Sequence, residues 1–545
     1  VLAIVLAEVG LFGVLGTALG IPIGYWAAAA NVEAVSETLS NLYLLEGIGS
    51  LRLEPSVLAL AVAVGLGGAV AGAFLPALEL SRRDTRTLLA PFSLHERVGK
   101  AARRLLAAGG AILAGTGLWY AVLGREWRPA GFVVALGLLI ALPLMTPWLL
   151  RAVSGLVRAR GFGLAYGVKA LGVKLGTTSF AVAALGIAVT MLVGITIMVG
   201  SFRRTLEAWI DSTIRADVYV TTESWRRARE TAVLDPAIVD ALVALPGVRS
   251  ADRLRRTRAH SGGRSIALVG RDVAMPGGEG RFPLIEGDRA DAIRRVAAGE
   301  AAMIGEPLAR KAGLRVGDRL PLTAPGGDFE IPIAGIYLDY AEEHGSAVLD
   351  LAALESRFGP AGLTNVDLYL EPGADPERVM DRIRERFPEA PLELLSNRRL
   401  REEILAIFDQ TFAVTRLLQG MALLIAVAGI TLTLLVLARE RVSELALYRA
   451  LGAGRRRILR VFLGEGVGMA GLGILLGIPG GAALALVLIR LVNRAYFGWT
   501  IVPSWPAATL AVQAAALLAA AAAASLYPAI RASRTPATEL RRDDL

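Results

Sequence analysis

Few residues in this chain have the type and spacing that catalysis requires. The 545 residues include no Cys, and the three His are widely separated, at His95, His260 and His344. Thiolate chemistry and Cys-ligated zinc are therefore excluded, and no His-built metal site is expected. The phosphate-loop pattern G-x-x-x-x-G-K-[ST] is absent as well, so the chain cannot hydrolyse ATP through such a loop. We predict no catalytic residue, no metal site and no cofactor bound directly to the chain.

Two carboxylates, Glu8 and Glu465, lie inside long apolar stretches. An ionisable residue in such a stretch is a functional candidate by default. Both carboxylates lie near one end of their stretch, however. We therefore expect their side chains to reach the membrane surface instead of relaying protons.

The same two stretches carry Gly at every fourth residue. This spacing places the glycines on one helix face, where a neighbouring helix can approach closely. We predict helix packing at this face, with a sliding helix contact as the functional alternative. The six glycines are Gly16, Gly20, Gly24, Gly473, Gly477 and Gly481.

A third candidate segment, residues 439–460, combines basic and apolar residues. Val442, Leu445, Ala446, Leu447 and Leu451 follow helical spacing, and Gly452 and Gly454 end the pattern. The segment is predicted to form a short amphipathic helix at the membrane surface. The residues alone leave two interpretations open, a helix that lies on lipid and a docking helix for a cytoplasmic protein.

The elements that position these residues are predicted membrane spans. The chain is 54% hydrophobic and 20% charged, whereas soluble proteins are about 45–50% apolar and about 25% charged. A span needs about 20 apolar residues. Eight stretches qualify, at residues 2–29, 56–79, 105–123, 129–150, 179–200, 411–437, 459–491 and 506–528.

The net charge of +9 is a topology signal. Arg and Lys are concentrated in residues 80–104, 151–178 and 438–458 and in the C-terminal tail, whereas the short loops on the opposite side hold few. Because basic loops remain in the cytoplasm, the long polar region 203–405 is expected outside it. Contact with the lipid membrane explains the basic loops, and no nucleic-acid partner is expected.

An internal repeat relates the two ends of the chain. Residues 6–24 and 463–481 share nine identical positions, which include Glu8 with Glu465. Residues 76–88 repeat in the same way at 528–540. Only the second unit is preceded by a span, an external region and a surface helix, and the chain begins at Val1. We therefore expect a missing N-terminal part with two spans, an external domain and a cytoplasmic loop.

The polar region 203–405 is predicted to be an α+β domain. Asp235-Pro236 and Asp375-Pro376 are typical of helix starts, since Asp caps the helix and Pro fits its first turn. Strands are predicted at residues 216–222, 265–270, 329–338 and 366–370.

Together these features resemble the FtsX-like permease family, which comprises ABC-transporter membrane subunits such as MacB and the lipoprotein-releasing permeases. The resemblance is carried by Ile407-Phe-Asp-Gln-Thr-Phe, Glu440–Ala453, the Gly-rich span from Glu465, Phe497-Gly-Trp-Thr-Ile and Pro528-Ala529. It implies a polytopic α-helical membrane protein with about eight transmembrane helices and one α+β extracytoplasmic domain. It places the chain in the bacterial inner membrane.

The resemblance also implies domain boundaries. Residues 1–92 would be an incomplete first permease unit with two spans, 93–160 two extra central spans, and 161–202 an amphipathic lead-in and a span. Residues 203–405 would be a MacB-like periplasmic core domain, and 406–545 a second permease unit with three spans.

For function, the resemblance implies a separate cytoplasmic ABC ATPase that supplies ATP hydrolysis and docks on a coupling helix at residues 440–454. The implied contact residues are Glu440, Arg441, Glu444, Leu445, Leu447, Arg449, Leu451 and Gly452. The external domain would then export or extract a lipoprotein, lipid or peptide, with a periplasmic adaptor or outer-membrane protein as a further partner. The alternative is signalling, in which the same movement regulates a cell-wall enzyme or receptor. A membrane-embedded enzyme fits less well, because no polar cluster is evident at the span ends. A secondary transporter fits less well, because it does not account for the large external domain and the surface helix.

Overall fold

The polypeptide forms a bundle of long apolar helices and a β-sheet domain inserted between two of them. A computed structural model describes residues 2–43, 54–81, 95–157, 164–172, 175–222, 233–275, 279–325, 327–342, 344–440, 447–448 and 450–534. The first half of the bundle contains α1 (Leu2–Tyr43), α2 (Pro55–Ser81), α3 (His95–Trp119), α4 (Ala130–Leu156), α5 (Leu164–Ala170) and α6 (Leu175–Thr213). A π-helical turn, Tyr120–Gly124, extends α3.

The domain follows α6 and is built on one ten-stranded sheet. Its strand order is β10-β1-β9-β2-β3-β8-β5-β7-β4, and β6 pairs with β2 and β7. The strands β3 and β8, and likewise β5 and β7, are parallel. The strands are β1 (Val218–Thr222), β2 (Val248–Ser261), β3 (Arg264–Arg271), β4 (Leu284–Glu286), β5 (Ala302–Gly305), β6 (Arg319–Ala324), β7 (Gly327–Tyr337), β8 (Ser346–Asp350), β9 (Asn365–Leu370) and β10 (Leu392–Ser396).

Five short helices cover the sheet: α7 (Pro236–Val243), α8 (Arg289–Ala297), α9 (Glu306–Ala312), α10 (Leu351–Phe358) and α11 (Pro376–Arg386). The predicted starts of α7 and α11 are confirmed, since the side chains of Asp235 and Asp375 accept hydrogen bonds from backbone N–H groups of the first turn. The four predicted strands are confirmed as β1, β3, β7 and β9.

The domain has apolar cores on both halves of the sheet. Val220, Leu242 and Leu368 lie in one core, whereas Leu268 and Ile304 lie in another. A further core around Phe282 and Met303 lies beside the second. The halves are joined where β2 pairs with β9.

A buried charge cluster strengthens that joint. Asp252 on β2 lies opposite Asp367 on β9, and like charges in such a pair repel. Arg271 and the fully buried Arg281 both form ion pairs with Asp252. Burial, followed by the charge of Asp252, raises the pKa of Asp367 to about 7. The two arginines therefore hold the two halves together.

The chain returns to the bundle through α12 (Asn397–Thr411) and α13 (Ala413–Glu440). The remaining helices are α14 (Arg455–Val487), which continues through a π-helical turn at Leu488–Val492, α15 (Asn493–Tyr496) and α16 (Ala507–Ser533). In lipid every backbone polar group must be satisfied within its own segment, which is why these apolar runs are helical.

Within the described residues, seven helices are long and apolar enough to cross a membrane: Leu2–Trp26, Pro55–Phe74, Ala102–Gly124, Ala130–Leu156, Thr178–Thr213, Arg455–Tyr496 and Ala507–Arg531. The eighth predicted span coincides with α13, of which the shorter stretch Val427–Val436 meets the same test of apolarity. The chain is thus a polytopic α-helical membrane protein that carries an α+β domain.

Candidate functional site

The predicted docking segment, residues 440–454, joins α13 to α14 at the end of the bundle away from the β-sheet domain. Leu447, Tyr448 and Ala450 are helical, and Leu451 N donates to Leu447 O at 2.9 Å. The helix ends at Gly452, whose φ of +92° favours glycine. Gly454 then caps α14. The predicted helix end at Gly452 and Gly454 is confirmed.

Two of the predicted contact residues are exposed and apolar. Leu447 is 47% exposed and Leu451 is 77% exposed. Glu440 is the last residue of α13. The remaining predicted residues, Arg441, Glu444, Leu445 and Arg449, lie outside the described residues. The described part of the segment therefore offers leucine side chains to a partner.

The short helix α5 connects this segment to α14. The hydroxyl groups of Tyr166 and Tyr448 are 3.2 Å apart and share a hydrogen bond. Gly167 lies so close to α14 that a Cβ at this position would be 2.9 Å from Glu465 N. The amphipathic lead-in predicted from the sequence thus packs on the bundle.

The glycine face of α14 is filled by α6. A Cβ at Gly473 would lie 2.6 Å from Leu185 Cγ, and a Cβ at Gly477 or Gly481 would lie 2.5 Å from Val189 Cβ or Val193 Cβ. In this close approach the branched side chains of α6 occupy the space that the glycines leave. The two helices are therefore tightly interlocked along three turns.

The glycine face of α1 is different. No atom of the described chain lies within 4 Å of a Cβ built at Gly16, Gly20 or Gly24. Helix α1 instead meets α2 on a neighbouring face, where a Cβ at Gly13 would be 3.0 Å from Ala69 Cβ. The close approach expected at these three glycines is thus made at Gly13, because α2 packs on that side.

The two repeat carboxylates also differ. Glu8 is exposed, whereas Glu465 is fully buried among α14 and its neighbours. The expectation that Glu465 reaches the membrane surface is wrong, because α5 covers that part of α14. The sequence could not indicate this cover, since α5 precedes α14 by some hundreds of residues.

A polar cluster inside the bundle ties three helices together. Thr196 on α6 accepts hydrogen bonds from Gln513 on α16 at 2.9 Å and from Gln419 on α13 at 3.2 Å. Side-chain hydrogen bonds of this kind join transmembrane helices. A displacement of α13 is therefore transmitted to α6 and α16.

An aromatic cluster, Phe202, Tyr340, Phe408, Phe412 and Trp499, lies where the bundle meets the domain. It brings together α6, α12, the domain and the loop before α16. The rings of Phe202 and Trp499 stack with centroids 5.6 Å apart. Such ring contacts add specific geometry to the burial of large apolar surfaces, so the cluster forms a packed joint.

Next to this cluster, Glu306 anchors the loop to the domain. Its carboxylate is 1% exposed, and it accepts hydrogen bonds from Thr500 N at 2.9 Å and from Arg310 Nε at 2.8 Å. Tyr340 donates its hydroxyl proton to Thr500 O at 2.6 Å. Burial raises the pKa of Tyr340, which keeps this donor protonated. No pattern in the sequence indicates this anchor, although Phe497-Gly-Trp-Thr-Ile is one of the segments that carry the family resemblance.

Three attachments join the bundle to the domain. Helix α6 leads into the domain, α12 leads out of it to α13, and the Glu306 anchor adds the third. Within the described ranges no group of three or more His, Asp or Glu side chains could hold a metal ion.

Residues 417–537 match the family model of the FtsX-like permease C-terminal domain, and residues 178–386 match that of the MacB-like periplasmic core domain. The chain therefore contains an FtsX-like permease C-terminal region and a MacB-like periplasmic core domain. The two matches enclose the features described above, since the first contains the docking segment, the glycine face of α14 and Thr500. The second contains most of the ten-stranded sheet and Glu306.

A curated relative is similar to most of the chain. The chain is 28% identical over 516 residues to the ABC transporter permease protein Rv0987 of Mycobacterium tuberculosis. The alignment covers 91% of the chain and 59% of the relative, so the chain spans about three fifths of the relative's length.

Two solved structures are also similar to parts of the permease. The periplasmic region of MacB from Actinobacillus actinomycetemcomitans is 10% identical, with a TM-score of 0.28, and the match covers 36% of this chain and 95% of that one. The extracellular domain of the ABC-type transporter YknZ from Gram-positive bacteria is 13% identical, with a TM-score of 0.24, covering 33% of this chain and 99% of that one.

Proposed function

We propose that this permease is the membrane subunit of an ABC transporter in the bacterial inner membrane. A separate cytoplasmic ATPase docks on residues 440–454 and supplies ATP hydrolysis, and the movement passes through the bundle to the extracytoplasmic domain. The observation that carries the proposal is the exposed pair Leu447 and Leu451, on the turn between α13 and α14 at the far end from the domain.

Helix α13 supplies a direct mechanical connection. It has 28 residues, which corresponds to about 40 Å of helix at 1.5 Å per residue. One end is continuous with the docking segment, and the other follows α12, which leaves the domain. A displacement of the docking segment would thus move α13 as one helix, and the other end of α13 lies at the aromatic cluster.

The proposed cargo is a lipoprotein, lipid or peptide that the domain exports or extracts at the outer face of the membrane. A periplasmic adaptor or an outer-membrane protein would be a further partner. Signalling to a cell-wall enzyme or receptor is the second candidate. The Glu306 anchor favours it, because a domain attached at three points can deliver movement to a partner without a path for cargo.

The docking proposal is tested with Leu447→Asp and Leu451→Asp. The chain is co-expressed with candidate cytoplasmic ABC ATPases from the same organism, and co-purification and ATP hydrolysis in proteoliposomes are measured. A buried carboxylate without a partner is costly, so each substitution is expected to reduce ATPase binding at least tenfold.

A matched control is Leu156→Asp. Leu156 ends α4 on the same side of the bundle and is 79% exposed, close to the 77% of Leu451. It should leave ATPase binding unchanged. Retained binding in Leu451→Asp, or an equal loss in Leu156→Asp, would contradict docking at residues 440–454.

A further inference from the structure

The loops on the domain side of the bundle carry arginines that the topology does not explain. Basic residues are concentrated in cytoplasmic loops, yet Arg125, Arg128, Arg490 and Arg494 lie at the opposite end, next to the domain. All four side chains are exposed. Membrane orientation therefore does not explain why these four arginines lie on the domain side.

The structure brings the two arginine-bearing segments together. A Cβ at Gly131 would lie 3.1 Å from Val492 N and 3.2 Å from Leu491 Cβ. The rings of Phe132 and Tyr496 are 5.8 Å apart, edge to face. The loop that carries Arg125 and Arg128 ends at this contact, so it lies beside the segment that carries Arg490 and Arg494.

A fifth arginine comes from the domain. Arg310 Cβ is 3.8 Å from the position of a Cβ on Gly498, and Arg310 Nη2 donates to Thr500 Oγ1 at 2.9 Å. Arg494 lies within electrostatic range of both Arg310 and Arg490. The loop before α4, the segment after α14 and helix α9 of the domain thus meet at one arginine cluster.

The charge of this place is strongly positive. Glu306 is already engaged by Thr500 and by its ion pair with Arg310. Residues 119–132 and 488–505 contain Arg125, Arg128, Arg490 and Arg494 but only one carboxylate, Glu126. Four positive charges therefore share these two segments with one negative charge. Like charges are not held together at a surface without a cost, and an anionic ligand would remove it.

The position of the arginine cluster along the membrane normal indicates where the anion comes from. Trp127, Tyr496 and Phe497 are exposed around it, and this is the level at which the apolar span α4 begins and the apolar span α14 ends. Exposed aromatic residues at the end of a span mark the level of the lipid headgroups. Guanidinium groups bind phosphate oxygens in a bidentate fashion.

We propose that Arg125, Arg128, Arg490 and Arg494, beside the Glu306–Arg310 ion pair, bind the phosphate group of an anionic phospholipid in the outer leaflet. The inference rests on the membrane orientation in the proposed function and is independent of ATPase docking. The site would hold a lipid at the joint between the bundle and the domain, where movement of the domain changes its surroundings.

The experiment uses the full chain in nanodiscs of phosphatidylcholine that contain a photoactivatable phosphatidylglycerol. Cross-links are mapped by peptide mass spectrometry to residues 119–132 and 488–505. In the double variant Arg490→Gln/Arg494→Gln the yield of these cross-links is expected to fall about fivefold for each arginine removed. This factor corresponds to the free energy with which one basic residue attracts an anionic lipid surface. Arg490→Lys/Arg494→Lys keeps the charge and should lose less.

The matched control is Arg455→Gln/Arg456→Gln, which removes the same charge at the other end of α14. It should leave the labelling of residues 119–132 and 488–505 unchanged. Equal labelling by a photoactivatable phosphatidylcholine, or unchanged labelling in the double Gln variant, would overturn the proposal. Competition by inorganic phosphate at the same concentration as the lipid would assign the site to a free anion instead. A failure of ATPase docking would alter none of these results.

Discussion

Helices α1 and α14 carry the same pattern of Glu and Gly but have different surroundings. In α14, Glu465 is fully buried and its three repeat glycines are in contact with α6. In α1, Glu8 is exposed and the equivalent glycines face no atom of the described chain. The pattern makes close packing possible in both helices, and the neighbouring helix decides where it occurs.

The neighbour of α14 has a complementary surface. Leu185, Val189 and Val193 of α6 repeat every fourth residue, as the glycines of α14 do. The fit is reciprocal, because Gly186 and Gly194 of α6 receive Leu476 and Leu484 of α14. Between α1 and α2 the close approaches are instead those of Gly13 to Leu66 and Ala69 and of Gly65 to Thr17. Shape on both sides of the contact, and not the glycine row alone, produces the interlocked pair.

The largest difference between the two helices is expected from Gly477→Leu and Gly20→Leu. A Cβ at Gly477 would be 2.5 Å from Val189 Cβ and 3.2 Å from Gly186 O, so a leucine forces α6 and α14 apart. Overpacking of this kind costs about 1–3 kcal/mol or more. Thermal unfolding in detergent, followed by tryptophan fluorescence, should show a clearly lower midpoint for Gly477→Leu.

Gly20→Leu is the internal control, because both substitutions add the same side chain to the same repeat position. No atom of another helix in the described chain lies within 4 Å of its new Cβ. The free energy of unfolding should therefore change by no more than about 0.5 kcal/mol, as for surface substitutions, and the midpoint should stay close to that of the wild type. Equal midpoints for the two variants would show that the glycine face of α14 is not a packing surface.

A smaller difference is expected from Glu465→Ala and Glu8→Ala. Removing the fully buried carboxylate of Glu465 removes the interaction that it makes inside the bundle, which costs about 1–3 kcal/mol, whereas Glu8 is exposed and its loss should not be measurable. The same unfolding assay separates the two. Glu465→Gln should recover part of the loss, since the amide keeps a hydrogen-bond acceptor. If both Ala variants unfold at the wild-type temperature, burial of Glu465 has no energetic role.

The sequence was sufficient for the spans and for part of the domain. Apolar runs of about 20 residues have one stable backbone in lipid, and β1, β3, β7 and β9 show the apolar residues of buried strands. Strand β2 was missed because its sequence, VRSADRLRRTRAHS, is rich in arginine. Asp252 on that strand is buried nonetheless, because Arg271 and Arg281 pair with it.

The candidate site was predictable only where its partners are close in sequence. Gly452 ends a local helix, and local chemistry indicated it. Glu306 and Thr500 are 194 residues apart, so no pattern in either segment points to the other. The glycine rows of α1 and α14 are alike in sequence, and only the three-dimensional structure distinguishes the filled row from the open one.

The smallest expected effect tests whether α6 is held to its neighbours by shape or by polar contacts. Thr196→Val keeps the volume of the side chain but removes the hydrogen bonds to Gln419 and Gln513. Hydrogen bonds between transmembrane helices are worth about 0.6 kcal/mol on average and rarely exceed about 1.7 kcal/mol. The unfolding midpoint of Thr196→Val should therefore fall less than that of Gly477→Leu. If the order is reversed, the polar cluster and not the glycine face holds α6 in place, and the glycine face would no longer explain the difference between α1 and α14.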